Sequence, residues 1–208
     1  GLIRGKMDNE WVLTTRRWTL MAWYFLSAGL ILGGQWAYEE LGWGGFWAWD
    51  PVENAALMPW LTGTAFLHSV MIQEKRNMLR IWNVVLIIIT YSLTIIGTFL
   101  TRSGVINSVH SFTQSEIGPA FLVFLALILV GSLLLLFKRI QMLESEHRME
   151  SVICRENVFL AQNILLVGIA FTVLLGTTFP LLAEAVRGTK LSIQAPFFNT
   201  ITAPMGYA

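Results

Sequence analysis

Five long apolar stretches alternate along this chain with short polar segments. A membrane-spanning helix needs about 20 mostly apolar residues. The pattern predicts helices from Trp18 to Tyr38, Asn54 to Gln73, Ile81 to Leu100, Ala120 to Phe137 and Asn157 to Ala183. No segment alternates apolar and polar residues over the length of a strand, which argues against a β-barrel. The expected fold is all-α: a polytopic integral membrane helix bundle of about five transmembrane helices with a Trp-rich outward loop. The second helix carries its own start signal. Asp50 suits the N-cap, Pro51 the first helical position, and Glu53 the third. Pro180 lies near the end of the fifth and predicts a kink or a stop there.

Composition supports the bilayer as solvent. Of 208 residues 55% are hydrophobic and 13% charged, where a soluble domain carries about a quarter charged residues. Membrane lipid is therefore an expected partner. The net charge is +1. No basic stripe with interleaved aromatics lies outside the apolar stretches, so nucleic acid is not expected as a partner. Cys154 is the single cysteine, which rules out a disulfide framework within the chain. The opening GLIRGKMDNEW has no initiating Met and no leader pattern. Residues 1–208 are expected to form one transmembrane domain, an internal fragment of a longer chain.

Basic residues predict the orientation. Arg4, Lys6, Arg16 and Arg17 precede the first span, Lys75, Arg76 and Arg80 separate the second and third, and Lys138, Arg139, Arg148 and Arg155 separate the fourth and fifth. The opposite side holds only Arg102, Arg187 and Lys190. Segments 39–53, 101–119 and 184–208 are then expected to face outward.

The segment WAYEELGWGGFWAWDPVENAALMPWL (36–61) is the richest in chemistry. It holds Trp36, Trp43, Trp47, Trp49 and Trp60, more than half of the nine tryptophans. Gly42, Gly44 and Gly45 allow a flat object or another backbone to approach closely. An interfacial aromatic belt beside a helix cap would use the same residues. The density of Trp together with the glycines favours a surface for a large planar ligand, with Trp43, Trp47, Trp49 and Asp50 forming or supporting its edge.

The histidines differ in setting. His68 lies about 17 residues into the second helix, or about 25 Å at 1.5 Å per residue, deep in the hydrocarbon. An ionisable group there is a functional candidate. Thr64 and Ala65, one turn earlier, are small and leave room for a macrocycle. A plain interhelical hydrogen bond accounts for His68 equally well. His110, in TRSGVINSVHSFTQSE, lies on the outward side. Imidazole is a common iron ligand, although a solvated loop histidine is the more ordinary case. Arg102 in the same segment could pair with a carboxylate such as a haem propionate, or meet lipid headgroups. His147 sits in the charged run ESEHRMES and has no assigned role. No Ser/His/Asp set, phosphate-binding glycine loop or His/Cys cluster at metal spacing occurs, so no side chain is assigned as catalytic.

WGGFWAWDPVENAALMPWL (43–61) resembles the tryptophan-rich WWD signature of the haem-handling membrane protein family. LTGTAFLHSVMIQEKR (61–76), TRSGVINSVHSF (101–112) and PFFNTITAP (196–204) resemble its CcmF branch of cytochrome c maturation haem lyases, or the NrfE-like paralogues. The resemblance covers nearly the whole chain. It implies a haem lyase component that receives haem from the chaperone CcmE and joins it to the CxxCH thiols of apocytochrome c, together with a CcmH-type apocytochrome-binding subunit. Two cofactors are implied: a stable intramembrane haem b on the residue matching His68, and a transient haem whose iron meets the residue matching His110. The metal ligands are thus His68 and His110, each with a second ligand outside this chain. A bacterial inner membrane with the Trp-rich loop in the periplasm is implied, a mitochondrial inner membrane being the other setting. A haem loader of the CcmC type, without lyase activity, is the competing reading.

Overall fold

The structure is a computed structural model, and it describes residues 2–3, 5, 9–42, 44–103, 117–143, 155–188 and 191–208. Six helices occur among these residues, and no strand: α1 (Asn9–Glu40), α2 (Pro51–Arg76), α3 (Arg80–Arg102), α4 (Gly118–Arg139), α5 (Arg155–Arg187) and α6 (Ala195–Tyr207). A single 3₁₀ turn, Ile140–Leu143, extends α4. The all-α membrane bundle expected from the apolar pattern is the fold observed.

Four stretches are long and apolar enough to cross a bilayer: Pro51–Arg76, Arg80–Arg102, Gly118–Leu143 and Asn157–Arg187. They contain the second to fifth predicted spans. The first predicted span lies within α1, which has the length, at 32 residues, but is not among those four. Aromatics, glycines and Gln35 dilute its apolar run. Its outward face still carries Trp18, Phe25, Ile31 and Leu32, all well exposed, as a lipid-facing surface does. The same holds on α4, where only Gly118 and Leu136 are buried.

Helix α2 is the hub, and its polar residues set the register with each neighbour. Towards α3, Thr90 donates to Thr62 (2.9 Å) and Asn83 Nδ2 to Gln73 Oε1 (2.7 Å), while Gly97 lies against Ala55. Towards α1, Trp60 Nε1 donates to Ser27 Oγ and Trp23 Nε1 to Thr64 Oγ1, both at 2.8 Å. Arg16 pairs with Glu74. Towards α5, Asn54 Nδ2 donates to Thr177 Oγ1 at 3.0 Å. Every pairing is antiparallel. Contacts of Val84 with Leu136 and of Phe99 with Gly118 give α4 the same relation to α3. The ends of α1, α3 and α5 therefore meet the start of α2 at one end of the bundle, and the turn 77–79 lies at the other.

The start of α2 is as its sequence specifies. Asp50 Oδ2 accepts from Val52 N (3.0 Å), Glu53 Oε2 accepts from Asp50 N (3.0 Å), and Pro51 opens the helix. Glu53 Oε2 also accepts from Ala48 N at 3.1 Å, which ties down the preceding loop.

Segment 184–208, expected to lie beyond the last span, is largely helical. Its last part forms α6, which packs on α5 and buries Phe198 in a cluster with Met58, Leu93 and Val173. Gly176 makes this possible. A Cβ there would lie 2.5 Å from the Phe198 ring, so only glycine lets the ring seat against α5.

Candidate functional site

The Trp-rich loop closes one end of the bundle, and its tryptophans divide into two jobs. Trp49 has φ +60°, a left-handed conformation that costs a non-glycine residue of order 1–3 kcal/mol. Three contacts hold it there. Its Nε1 donates to Asn199 Oδ1 (2.8 Å), its ring stacks on Phe198 (centroids 4.9 Å, 12° apart), and its carbonyl accepts from Asn54 Nδ2 (3.0 Å). Trp49 is thus an anchor between the loop, α2 and α6. Trp47 stands edge-on to it, 5.8 Å away and at 89°, and turns to the other side.

On that side lies a groove of about 440 Å³ between α1 and α2, bounded by Leu30, Gly34, Phe46, Trp47, Leu57 and Trp60. This is within the range of small-molecule sites, and the lining is almost wholly apolar, as such sites are. Gly34 brings the loop down onto α1. A Cβ there would sit 3.0 Å from the Phe46 carbonyl oxygen. Phe46 stacks on Tyr38 at 4.5 Å, and Trp60 on Trp23 at 5.9 Å. The close backbone approach is at Gly34. Around Gly42, Gly44 and Gly45 a Cβ would meet open space, and Gly42 (φ +65°) and Gly44 (φ +75°) serve the turn.

Of the other site residues, Asp50 caps α2 beneath the loop, and Arg102 closes α3, exposed, at the same end of the bundle. Trp43 and His110 lie outside the described residues, as do His147 and Cys154.

His68 lies far from the groove. It is 8 residues beyond Trp60, or about 12 Å along the helix at 1.5 Å per residue. Its ring is 5.9 Å from that of Phe159 on α5. Nδ1 is buried with no hydrogen-bond partner, while the residue as a whole keeps part of its surface open. The room expected beside it at Thr64 and Ala65 is filled. Thr64 Oγ1 accepts the Trp23 indole, and Ala65 is fully buried in a cluster with Val12, Phe66 and Leu86. The exposed part of His68 lies on another side of the ring. Among the described residues no three of His, Cys, Asp or Glu group to hold a bare ion. A single imidazole suits a metal that brings its own equatorial nitrogens, as haem does. An orphaned imidazole at one depth and an apolar, Trp-lined groove at another are compatible with haem at both.

Fold and site together define an integral membrane helix bundle with a tryptophan-lined mouth. A family model described as cytochrome c assembly protein matches residues 3–106, and the chain belongs to that family. It is 45% identical over 204 residues to the cytochrome c-type biogenesis protein CycK of Bradyrhizobium diazoefficiens, which covers 98% of this chain and 31% of the relative. It is 47% identical over 205 residues to CcmF of Pseudomonas aeruginosa, with the same coverage of each. The solved structure of the cytochrome c haem lyase CcmF superposes with a TM-score of 0.73 at 41% identity, over 94% of this chain and 28% of that one. The chain thus spans about a third of the length of the curated relatives it matches.

Proposed function

We propose that this chain is the haem-handling transmembrane part of a haem lyase component in c-type cytochrome maturation. The observation that carries this reading is the apolar groove floored by Trp47 and Trp60, set apart in depth from the lone intramembrane histidine. One surface suits a haem in transit and the other a resident one.

In this reading Trp47 and Trp60 hold the flat apolar face of the incoming haem, delivered by the chaperone CcmE. Arg102 would meet a propionate, and His110 would help to hold the iron. The CxxCH thiols of apocytochrome c, presented by a CcmH-type subunit, are themselves the nucleophiles. Each S–H adds across a vinyl C=C, forming a C–S bond and placing the hydrogen on the neighbouring carbon. No catalytic Ser or Cys is needed, and the protein contributes position and dryness. His68 ligates a stable haem b that supplies redox chemistry when bound. The Lys/Arg asymmetry supports placing the groove on the side away from the cytoplasm, the periplasm where the membrane is a bacterial inner one.

The test uses the full-length protein with chaperone-delivered haem. Replacing Trp47 and Trp60 together by Ala is expected to lower haem capture and cytochrome c yield many-fold with insertion unchanged. Normal capture by the double variant would sink the reading.

A further inference from the structure

Asn163 on α5 has no exposed surface, and neither Oδ1 nor Nδ2 has a hydrogen-bond partner. A buried carboxamide left unpaired forfeits its solvation with nothing in return, so an Asn there needs a reason. Full burial means that its partner has to lie within the bundle.

The register brings one candidate partner level with Asn163. Asn163 is one turn after Phe159, whose ring faces His68 at 5.9 Å. It is one turn before Leu166 and Val167, which pack against the cluster containing Ala65. On the antiparallel helix this places Asn163 between the levels of Ala65 and His68. There, Nδ1 of His68 is also buried and unpaired. Trp82 Nε1 and Asn83 Oδ1, both on α3, are also orphaned near this level, and so is Ser69. Ser69 shares a helical face with Thr62 and Gln73, whose partners Thr90 and Asn83 are both on α3, so it looks away from α5.

We propose, on the reading that His68 ligates the intramembrane haem, that Asn163 is the positioning residue for its imidazole. Oδ1 accepts the Nδ1–H of His68, directly or through one buried water. This fixes the tautomer and leaves Nε2 for iron. Metal-bound histidines usually donate their other ring N–H in this way, and such partners orient the ring and raise its basicity. The hydrogen bond increases imidazolate character and stabilises ferric over ferrous iron.

The test is haem stoichiometry and reductive titration of the full-length protein with His68→Ala, Asn163→Leu and Asn163→Asp. His68→Ala is expected to lose the haem. Asn163→Leu is expected to lower its affinity about 10-fold or more and to move the midpoint potential of what remains to more positive values. Asn163→Asp, nearly isosteric and a stronger acceptor, is expected to move it the other way. Haem retained by His68→Ala would overturn the ligand reading, and this proposal with it. Haem lost in His68→Ala but held at wild-type affinity and potential in both Asn163 variants would overturn this proposal alone. Equal shifts of the same sign in Leu and Asp would also overturn it, since that is what repacking alone produces.

Discussion

The indole N–H of Trp49 donates to Oδ1 of Asn199 at 2.8 Å, joining the loop before α2 to the last helix across 150 residues of sequence. With the Trp49–Phe198 stack, this contact makes α6 a strut for the Trp-rich loop. It also separates Trp49, held on the α6 side, from Trp47, which borders the groove.

That separation gives a first prediction. Trp49→Phe keeps a ring on Phe198 and removes only the hydrogen bond, worth about 0.5–1.5 kcal/mol. It is expected to lower the thermal stability of the full-length protein slightly and to leave haem capture nearly intact. Trp47→Phe is expected to do the opposite, sparing stability and weakening capture. Parallel melting curves and haem-transfer assays on the two variants decide it. Equal loss of capture in both would mean that Trp49 itself meets the ligand.

The seat of Phe198 gives a second. A Cβ at position 176 would enter the Phe198 ring space at 2.5 Å. Gly176→Val is therefore an overpacking change, expected to cost about 1–3 kcal/mol. Phe198→Ala empties the same seat, at about 3–5 kcal/mol. Combined, the valine fills part of the cavity, so the double variant is expected to be less destabilised than the sum of the two. Detergent unfolding of the four proteins measures this coupling. Strict additivity would show that α6 is not seated on Gly176 in the whole protein.

Helix α6 also shows where the sequence stopped being legible. The start of α2 could be read because Asp50, Pro51 and Glu53 act on the backbone within one turn. The long spans could be read because burial in lipid depends on summed hydropathy. Helix α6 has 13 residues, with Pro196 at its start and Pro204 inside, and it is held by Gly176 and Trp49, both remote in sequence. Its local signal was the apolar spacing of Phe197, Phe198 and Ile201 behind Pro196. Gly34 was missed for the same reason, since a tolerated helix glycine looks the same whether or not a carbonyl sits on it. Asn163 was passed over because a lone Asn in an apolar run is informative only once its burial is known. Trp47 was legible as part of a Trp-rich segment, but neither the groove it borders with Trp60 nor the division between Trp47 and Trp49 was. Trp43 and His110 lie outside the described residues, and their roles stand as proposals.

Sidedness is a third prediction. Ala48 is exposed in the Trp-rich loop, and Gln141 is exposed just beyond α4 at the other end of the bundle. In a background with Cys154→Ser, Ala48→Cys is expected to react with an impermeant thiol reagent added to intact cells whose outer barrier is permeabilised. Gln141→Cys is expected to react only after the inner membrane is broken. The opposite pattern would reverse the orientation drawn from the Lys/Arg asymmetry and place the groove on the cytoplasmic side.

The last prediction concerns the two histidines. His68 is about 25 Å along α2 from Pro51 at 1.5 Å per residue, while segment 101–119, which contains His110, follows the end of α3 that meets the start of α2. The proposed reading gives the two imidazoles different haems. In the full-length protein, His68→Ala is expected to abolish the stable haem b signal and to leave capture of chaperone-delivered haem measurable. His110→Gly is expected to keep the haem b spectrum and lose axial ligation of the captured haem, with a fall in cytochrome c yield. Added imidazole is expected to restore part of the yield in His110→Gly, since the proposed reading puts that histidine on the outward side. It is expected to restore little in His68→Ala, where the Nδ1 side is sealed and the free base must cross apolar helix packing to arrive. Haem content, difference spectra and cytochrome c yield for both variants, with and without imidazole, supply the comparison. Loss of both haem signals in either variant, with insertion normal, would show that the two histidines serve one site.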